Sequence, residues 1–199
     1  MIYRLNEIEE RVYTLLDENR AILDDRTAYG DPSASLRSMI RELTPEAARE
    51  VIMEAEPSEI NECDRLIEGA MLRHIDESRA QIELPLRFLR LFYLKMTDWD
   101  QGVYQTLEPS SIEYQLYARS LQEEGEFGLR SHPAVAVGMG GGSRTLEIFN
   151  TGPTSAIEAV RFVCEPSFDG VEIDLPQSLY PRICRKIAAF IAEITAHKD

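Results

Sequence analysis

Residues 82–117 constrain the fold most, because the apolar pattern changes from helical to strand-like along this stretch. The stretch contains the only tryptophan and a dense run of apolar and aromatic residues. Leu84-Pro85 ends the preceding element, since a residue before proline is disfavoured in the helical region. Leu89–Met96 would carry apolar side chains on both faces of a strand. We therefore predict a central strand of a small sheet that is packed against helices.

The length of 199 residues allows one domain, or one domain with an added helical part. We predict a helical part over 1–62 and an α+β part over 63–199, together forming one compact unit. No apolar run reaches the roughly 20 residues that span a bilayer, and the charged first residues do not resemble a signal peptide. The three cysteines are widely spaced, which favours reduced thiols in a protein made in the cytosol.

Helical periodicity dominates the first part of the chain. Apolar residues spaced by three and four predict an amphipathic helix over Arg4–Glu18 and a second helix through Leu36–Leu43. Thr44-Pro45 then predicts a new start, with threonine as the cap and proline at the first helical position. Pro57 ends this third helix.

Strand-like segments fill much of the rest. Two interpretations stay open before residue 84: a helix continuing through Leu66–Leu72, or the hairpin that we favour, pairing Ala70–Ile75 with Ala80–Leu84. Short turns join three further strands, which complete a small antiparallel β-meander of about four strands. These strands are Pro133–Met139, Arg144–Asn150 and Ile157–Glu165.

A long amphipathic helix is predicted at the C-terminal end, over Ser178–Ala196. Pro181 is tolerated because the backbone N–H groups of the first turn have no helical partner. The apolar stripe consists of Leu179, Ile183, Ile187, Phe190, Ile191 and Ile194. A stripe of this size requires a core or a subunit interface.

Few residues show a catalytic or ligand-binding pattern. Gly138–Arg144 is glycine-rich but lacks the lysine and the following helix of a phosphate-binding P-loop, so we predict a hairpin turn. Asp98–Gly102 lacks the third ligand and the distal glutamate of a calcium loop, which favours an Asx-type turn.

The histidines and cysteines are scattered, without the spacing of a metal site. A cysteine nucleophile paired with His74 or His132 stays an open alternative, although Cys164 and Cys184 lie in structural patterns. We predict no catalytic residue, no cofactor and no metal site, and hence no enzyme. The net charge of −14 argues against nonspecific binding to nucleic acid or anionic membranes, although solubility alone would also explain it.

An ordered series of motifs extends over residues 36–194. In chain order it comprises Leu36–Leu43, Pro45-Glu-Ala-Ala-x-x-Val51, Ala55-Glu-Pro57, Ile82-x-Leu-Pro-x-x-Phe-Leu-Arg-Leu91, Lys95-Met-Thr-Asp-Trp99, Tyr114-x-x-Tyr117-Ala-Arg119, His132-Pro-Ala-Val135, Leu146-Glu-Ile-Phe149, Val160-Arg-Phe-Val-x-x-Pro166 and Asp174-Leu-Pro-x-x-Leu-Tyr-x-x-Ile183-x-x-x-Ile-Ala188. The series resembles a group of virion proteins from tailed phages of gut Bacteroides-type bacteria. This group includes the ring (neck) proteins of crAss-like phages.

The resemblance implies a structural ring subunit of the head-to-tail connector, made in the host cytoplasm and assembled into the virion below the portal. Its partners would be its own copies in a closed ring of about twelve, the portal protein and adjacent neck or tail ring proteins. Genomic DNA would pass through without specific binding, and no membrane would be involved. There are two alternatives. One is a tail-hub or tail-adaptor component of the same virion, and the other is a bacterial accessory protein or small enzyme. Candidate interface residues are Trp99, Tyr104, Tyr114, Tyr117, Phe127, Arg182, Arg185 and Lys186.

Overall fold

The computed structural model describes residues 1–18, 32–63, 72–120, 132–140 and 143–196. Its packing divides the chain into two compact units. Unit 1 comprises residues 1–63 and 165–199, and unit 2 comprises residues 64–164. The C-terminal helix thus belongs with the N-terminal helices, whereas the division predicted at 62/63 grouped it with the strands. Helices combined with antiparallel strands confirm the predicted α+β class.

The described residues form four α-helices, one 3-10 helix and eight strands. In chain order these are β1 (Ile2–Arg4), α1 (Leu5–Glu18), α2 (Pro32–Glu54), the 3-10 helix (Pro57–Cys63), β2 (Leu72–His74), β3 (Arg79–Glu83), β4 (Phe88–Met96), α3 (Ile112–Ser120), β5 (Ala134–Gly140), β6 (Ser143–Phe149), β7 (Ile157–Cys164), β8 (Glu172–Asp174) and α4 (Tyr180–Ala196). None of the helices in the described ranges has the length and apolar character needed to cross a bilayer.

Helix α1 in unit 1 begins directly after β1, close to the predicted start. The Glu7 carboxylate accepts a hydrogen bond from the backbone N–H of Arg4 (3.0 Å), near the end of the helix where N–H groups lack helical partners. Ile8, Val12 and Leu16 recur every fourth residue and are buried. This face packs against α4, while β1 pairs antiparallel with β8.

Helix α2 continues through Pro45, where the sequence predicted that a separate helix begins. That prediction was wrong because Thr44 does not act as a cap. Its side-chain hydroxyl donates to the carbonyl of Ile40 within the helix (2.7 Å). Pro45 removes one backbone donor, which costs about 3 kcal/mol in an ordinary helix interior. The buried stripe that offsets this loss consists of Ala47, Ala48, Val51 and Ile52.

Helix α4 packs against both α1 and α2, and Pro181 lies in its first turn as predicted. Leu179, directly before the helix, is buried, and the buried residues within the helix are Ile183, Cys184, Ile187, Ala188 and Ile191. The predicted stripe was too long, because Phe190 is half-buried and Ile194 is 38% exposed. The helix therefore leaves the core of unit 1 before its last turn.

Four strands of unit 2 form an antiparallel sheet in the order β2-β3-β6-β5. β2 and β3 form the favoured hairpin, with Leu72 opposite Ile82, and this prediction is confirmed. Residues 70 and 71 of the predicted hairpin lie outside the described residues. β5 pairs with β6 as far as Gly140 opposite Ser143, so the glycine-rich stretch joins a hairpin, as predicted.

Strand β4 is not the centre of this sheet, which corrects the prediction for Leu89–Met96. It pairs with β7 in a separate two-stranded sheet whose register shifts at three points. The predicted meander therefore breaks after β6, because β7 returns to β4 instead of pairing with β6. On its other edge, β4 exchanges two backbone hydrogen bonds between Leu94 and Val103 (2.9 and 2.8 Å).

The two sheets of unit 2 share one core, so a sheet covers β4 where helices had been predicted. This core consists of Ala80, Ile82, Leu84, Phe88, Leu91, Leu94, Met96, Trp99, Val135, Leu146, Ile148, Val160 and Phe162. Side chains alternate along β5, and its other face packs with α3 through Tyr114 and Tyr117. The chain from Val103 to Leu107 connects the edges of β4 and β5, where the Leu107 N–H donates to Val135 (2.7 Å).

Candidate functional site

The turn after β4 forms a polar cluster with the loop between β6 and β7. The Asp98 carboxylate accepts a hydrogen bond from the backbone N–H of Gly152 (2.6 Å). It also accepts from the hydroxyls of Thr151 (3.4 Å) and Ser155. Both carboxylate oxygens are thereby used to fix a loop, which is a structural role and not that of a calcium ligand.

Trp99 attaches the same loop through its indole ring. The ring N–H donates to the carbonyl of Asn150 (2.6 Å), and the ring is only 6% exposed. Asn150 has a φ of 57°, and its side-chain amide donates to the carbonyl of His132 (2.5 Å). Trp99 is therefore a core residue of unit 2, which corrects its place among the candidate interface residues.

The pKa of Asp98 lies below its ordinary value. Partial burial alone would raise this pKa, but hydrogen bonds from Ser155, Gly152 and Thr151 outweigh the burial. His74 places Nε2 3.1 Å from the carbonyl oxygen of Ser155, and the Ser155 hydroxyl bonds to Asp98. The cluster thus contains serine, histidine and aspartate without the hydroxyl–imidazole contact that activates a nucleophile.

The open alternative of a cysteine nucleophile gains nothing from the geometry of Cys184. This thiol is buried on α4, and burial raises its pKa, which favours the unreactive protonated form. Cys184 belongs to unit 1, whereas His74 and His132 belong to unit 2. In the part of the chain that the structure describes, no three His, Cys, Asp or Glu side chains are grouped as metal ligands.

Two aromatic candidates, Tyr114 and Tyr117, serve the packing of α3. Their rings lie 6.0 and 5.6 Å from the ring of Phe149, measured between centroids. The Tyr114 hydroxyl donates to Glu147 (3.0 Å), and the Tyr117 hydroxyl donates to the carbonyl of His132 (3.3 Å). Burial and the neighbouring Glu147 raise the pKa of Tyr114. Both residues are half-buried and contribute to the packing of α3 on unit 2.

Tyr104 is the one described aromatic candidate that is largely exposed, at 68%. Its ring packs on Tyr93 at 5.0 Å, which orients it on the surface of unit 2. Phe127, the remaining aromatic candidate, lies outside the described residues. Of the predicted aromatic set, Tyr104 alone fits a contact with a neighbouring molecule among the residues described.

The basic candidates on α4 divide into paired and exposed side chains. Arg182 forms an ion pair with Glu54 (2.9 Å) and Lys186 with Glu50 (2.7 Å), so both link α4 to α2. The hydrogen bond to Glu50 raises the pKa of Lys186. Arg185 is exposed, and its Nε–H donates to a carbonyl one turn earlier (3.3 Å). Two of the three cations therefore serve the fold of unit 1.

Sequence reasoning missed four exposed aliphatic side chains among the described residues of unit 2. Leu86 is 98% exposed in the turn between β3 and β4, Ile75 is 47% exposed directly after β2, and Ile112 and Leu116 are 76% and 43% exposed on α3. A leucine directly after Leu84-Pro85 was the available signal, because tight turns favour polar residues, glycine and proline. These side chains leave unit 2 with apolar surface available for contacts.

A scan against protein-family models found no match to this chain, and a search of the curated proteins found no significant match.

Proposed function

We propose that this chain is a structural virion protein that forms a ring in the head-to-tail connector of a tailed phage, below the portal and around the DNA channel. The observation that carries the proposal is the ordered series of motifs over residues 36–194, which resembles neck proteins of phages that infect Bacteroides-type bacteria. Such a subunit needs a rigid fold and surfaces that contact its neighbours.

The motif residues support the resemblance because they occupy positions on which the fold depends. Asp98 and Trp99, from the Lys95–Trp99 motif, attach the loop between β6 and β7. Tyr180, from the last motif, stacks on Tyr3 at 4.2 Å between ring centroids. Phe88 and Phe162, from two further motifs, pack at 5.9 Å in the shared core of unit 2. The motifs that carry the resemblance are thus structural positions of this chain.

The acidic charge also suits a conduit for DNA. A net charge of −14 per copy repels a polyanion, so DNA would pass without adhering to the wall. A ring of about twelve copies would carry roughly −168 charges, which oppose assembly. Screening limits this repulsion to about 8–10 Å at physiological ionic strength. Assembly should therefore require moderate salt or a partner with basic surfaces.

Mass photometry of the purified protein across an ionic-strength series tests the proposal. Monomers at low salt and a closed ring of about twelve copies at moderate salt, or after addition of the portal protein, are expected. A hexameric ring would favour the tail-hub alternative. A monomer or dimer under every condition, or one that binds a small ligand, would favour an accessory protein or enzyme.

Binding to duplex DNA provides a second test of the same role. We expect no measurable affinity for a labelled duplex at any salt concentration. Tight binding that weakens with added salt would show that phosphate contacts dominate, and it would contradict the conduit role. A gene position beside those of a portal and a capsid protein is an independent expectation.

A further inference from the structure

The turn before β8 contains Asp169-Gly170, the only place in the sequence where glycine follows an aspartate or asparagine. Aspartate isomerises readily at such pairs, because glycine has no Cβ to hinder attack by its own nitrogen. The Gly170 nitrogen bonds to Cγ of the protonated Asp169 carboxyl, whose hydroxyl leaves as water with the proton of that N–H. Water then opens the succinimide at either carbonyl, which yields aspartate or isoaspartate. One water is released and one is taken up, so no other reactant is needed.

The folded turn holds the Asp169 carboxylate in a defined position. Its Oδ1 accepts hydrogen bonds from the backbone N–H groups of Glu172 (2.7 Å) and Val171 (2.8 Å). The bonds from Glu172 and Val171 favour the ionised carboxylate and keep the pKa of Asp169 below its ordinary value. Ring closure requires a protonated carboxyl that turns toward the Gly170 nitrogen. Both hydrogen bonds therefore oppose the reaction.

Two other segments of unit 1 fix the backbone around this carboxylate. The Leu5 N–H, at the start of α1, donates to the Val171 carbonyl (2.7 Å). Gly170 has a φ of 89°, and the Arg41 guanidinium of α2 lies against it, because a Cβ at Gly170 would be 2.6 Å from Arg41 Nη2. Rotation of the Asp169 backbone toward a closed ring therefore disturbs contacts with both α1 and α2.

We propose that Asp169-Gly170 is a site of aspartate isomerisation that the folded turn keeps inactive, and that isoaspartate forms there when the turn opens. Isoaspartate carries one additional carbon atom in the backbone. Phe168 pairs with Ile173 across this point, so the additional atom lengthens the turn between them. Opening of the turn thus leads to a covalent change that hinders its closing. This inference concerns unit 1 alone and does not depend on the proposed ring.

Peptide mapping of the full chain tests the site. One sample is kept native and another is unfolded in guanidinium chloride, both for several weeks at neutral pH and physiological temperature. Electron-transfer fragmentation in the mass spectrometer distinguishes isoaspartate from aspartate at Asp169. We expect isoaspartate to form at least about 10-fold more slowly in the native sample, because only the opened turn reacts. Equal rates in the two samples, or no isoaspartate at Asp169 in the unfolded sample, would overturn the proposal.

Two variants at one position test whether the turn itself protects the site. Leu5→Pro removes the N–H donor to Val171 at the first residue of α1, where proline is tolerated, and Leu5→Ala keeps this donor. We expect native Leu5→Pro to isomerise at least about threefold faster than native Leu5→Ala, and the two to react equally when unfolded. If circular dichroism shows that Leu5→Pro alters the fold, Arg41→Ala replaces it, with Arg37→Ala one turn earlier on α2 as the control. Equal native rates within the pair would reject the protective role of the turn.

Discussion

Ile187→Ala should lower the free energy of unfolding of unit 1 by about 2–5 kcal/mol. Ile187 is fully buried in the middle of α4, where this helix packs against α1 and α2. The substitution removes buried methyl and methylene groups and leaves a cavity that the surrounding helices fill only in part. At about 2–4 °C per kcal/mol for a chain of this length, a loss of about 3 kcal/mol shifts Tm by roughly 6–12 °C.

Urea and thermal unfolding followed by far-ultraviolet circular dichroism measure this loss. Ile194→Ala is the matched control, because it makes the same change two turns later on α4, at a residue that is 38% exposed. The control should cost less than about 1 kcal/mol. Equal losses in the two variants would refute the argument that burial anchors the helix. A chain ending near Leu175 that still melts cooperatively at the parental temperature would refute it as well.

Three further changes have defined outcomes. Asp98→Asn should cost about 1 kcal/mol in urea unfolding at pH 7, a value kept small because Asp98 is partly exposed. Folding lowers the pKa of Asp98, so its contribution is complete above the ordinary pKa of about 3.9 and is lost as the pH falls through the folded pKa. The difference in unfolding free energy between wild type and variant should therefore shrink as the pH falls below the ordinary pKa. Gly102→Ala should cost about 1–3 kcal/mol in the same assay, because a Cβ there would lie 2.2 Å from the Tyr93 ring. Cys184 should resist alkylation until urea unfolds unit 1, as followed by mass spectrometry.

The local elements could be predicted because their periodicity is carried by neighbouring residues. The helix over Arg4–Glu18 and the hairpin that includes β2 and β3 both follow from such patterns. The prediction of a helix break at Pro45 was wrong because threonine followed by proline fits both a helix start and a helix interior. Threonine before proline suits a helix start, but it also suits a helix interior where the Thr44 hydroxyl bonds to the Ile40 carbonyl and the next turns are buried.

The pairing of β4 with β7 could not be predicted, because strand partners are selected over long distances in the chain. Alternation along Phe88–Met96 shows which side chains share a face, but it does not show which strand lies alongside. Both faces of β4 are largely apolar, which is equally expected for a central strand and for a strand packed between a second sheet and other structure. The three register shifts along β4 and β7 have no signal in the sequence that we could identify.

The candidate interface was predicted poorly because the sequence does not show which aromatic and basic side chains are exposed. Trp99, Tyr114 and Tyr117 are large aromatic residues of the kind that interfaces use, but Trp99 is buried in a core and the two tyrosines pack half-buried against a smaller cluster. Residue type alone does not separate an interface role from a packing role. Arg182 and Lys186 were placed correctly outside the apolar stripe, yet their partners on α2 depend on the packing of two helices. Leu86 was overlooked because its one sequence signal, its place directly after Leu84-Pro85, is not part of a periodic pattern.

The distribution of charge connects these observations with assembly. Unit 1 carries a balance of −10, whereas unit 2 has ten basic and fourteen acidic side chains, a balance of −4. Exposed large apolar side chains lie on both units, for example Ile2 (65%) and Val171 (60%) on unit 1 and Leu86 (98%) and Ile112 (76%) on unit 2. Repulsion between copies therefore comes mainly from unit 1, whereas apolar attraction is available from both units. Because screening weakens charge interactions beyond about 8 Å at physiological salt while burial of apolar surface persists, ionic strength should decide which of the two prevails.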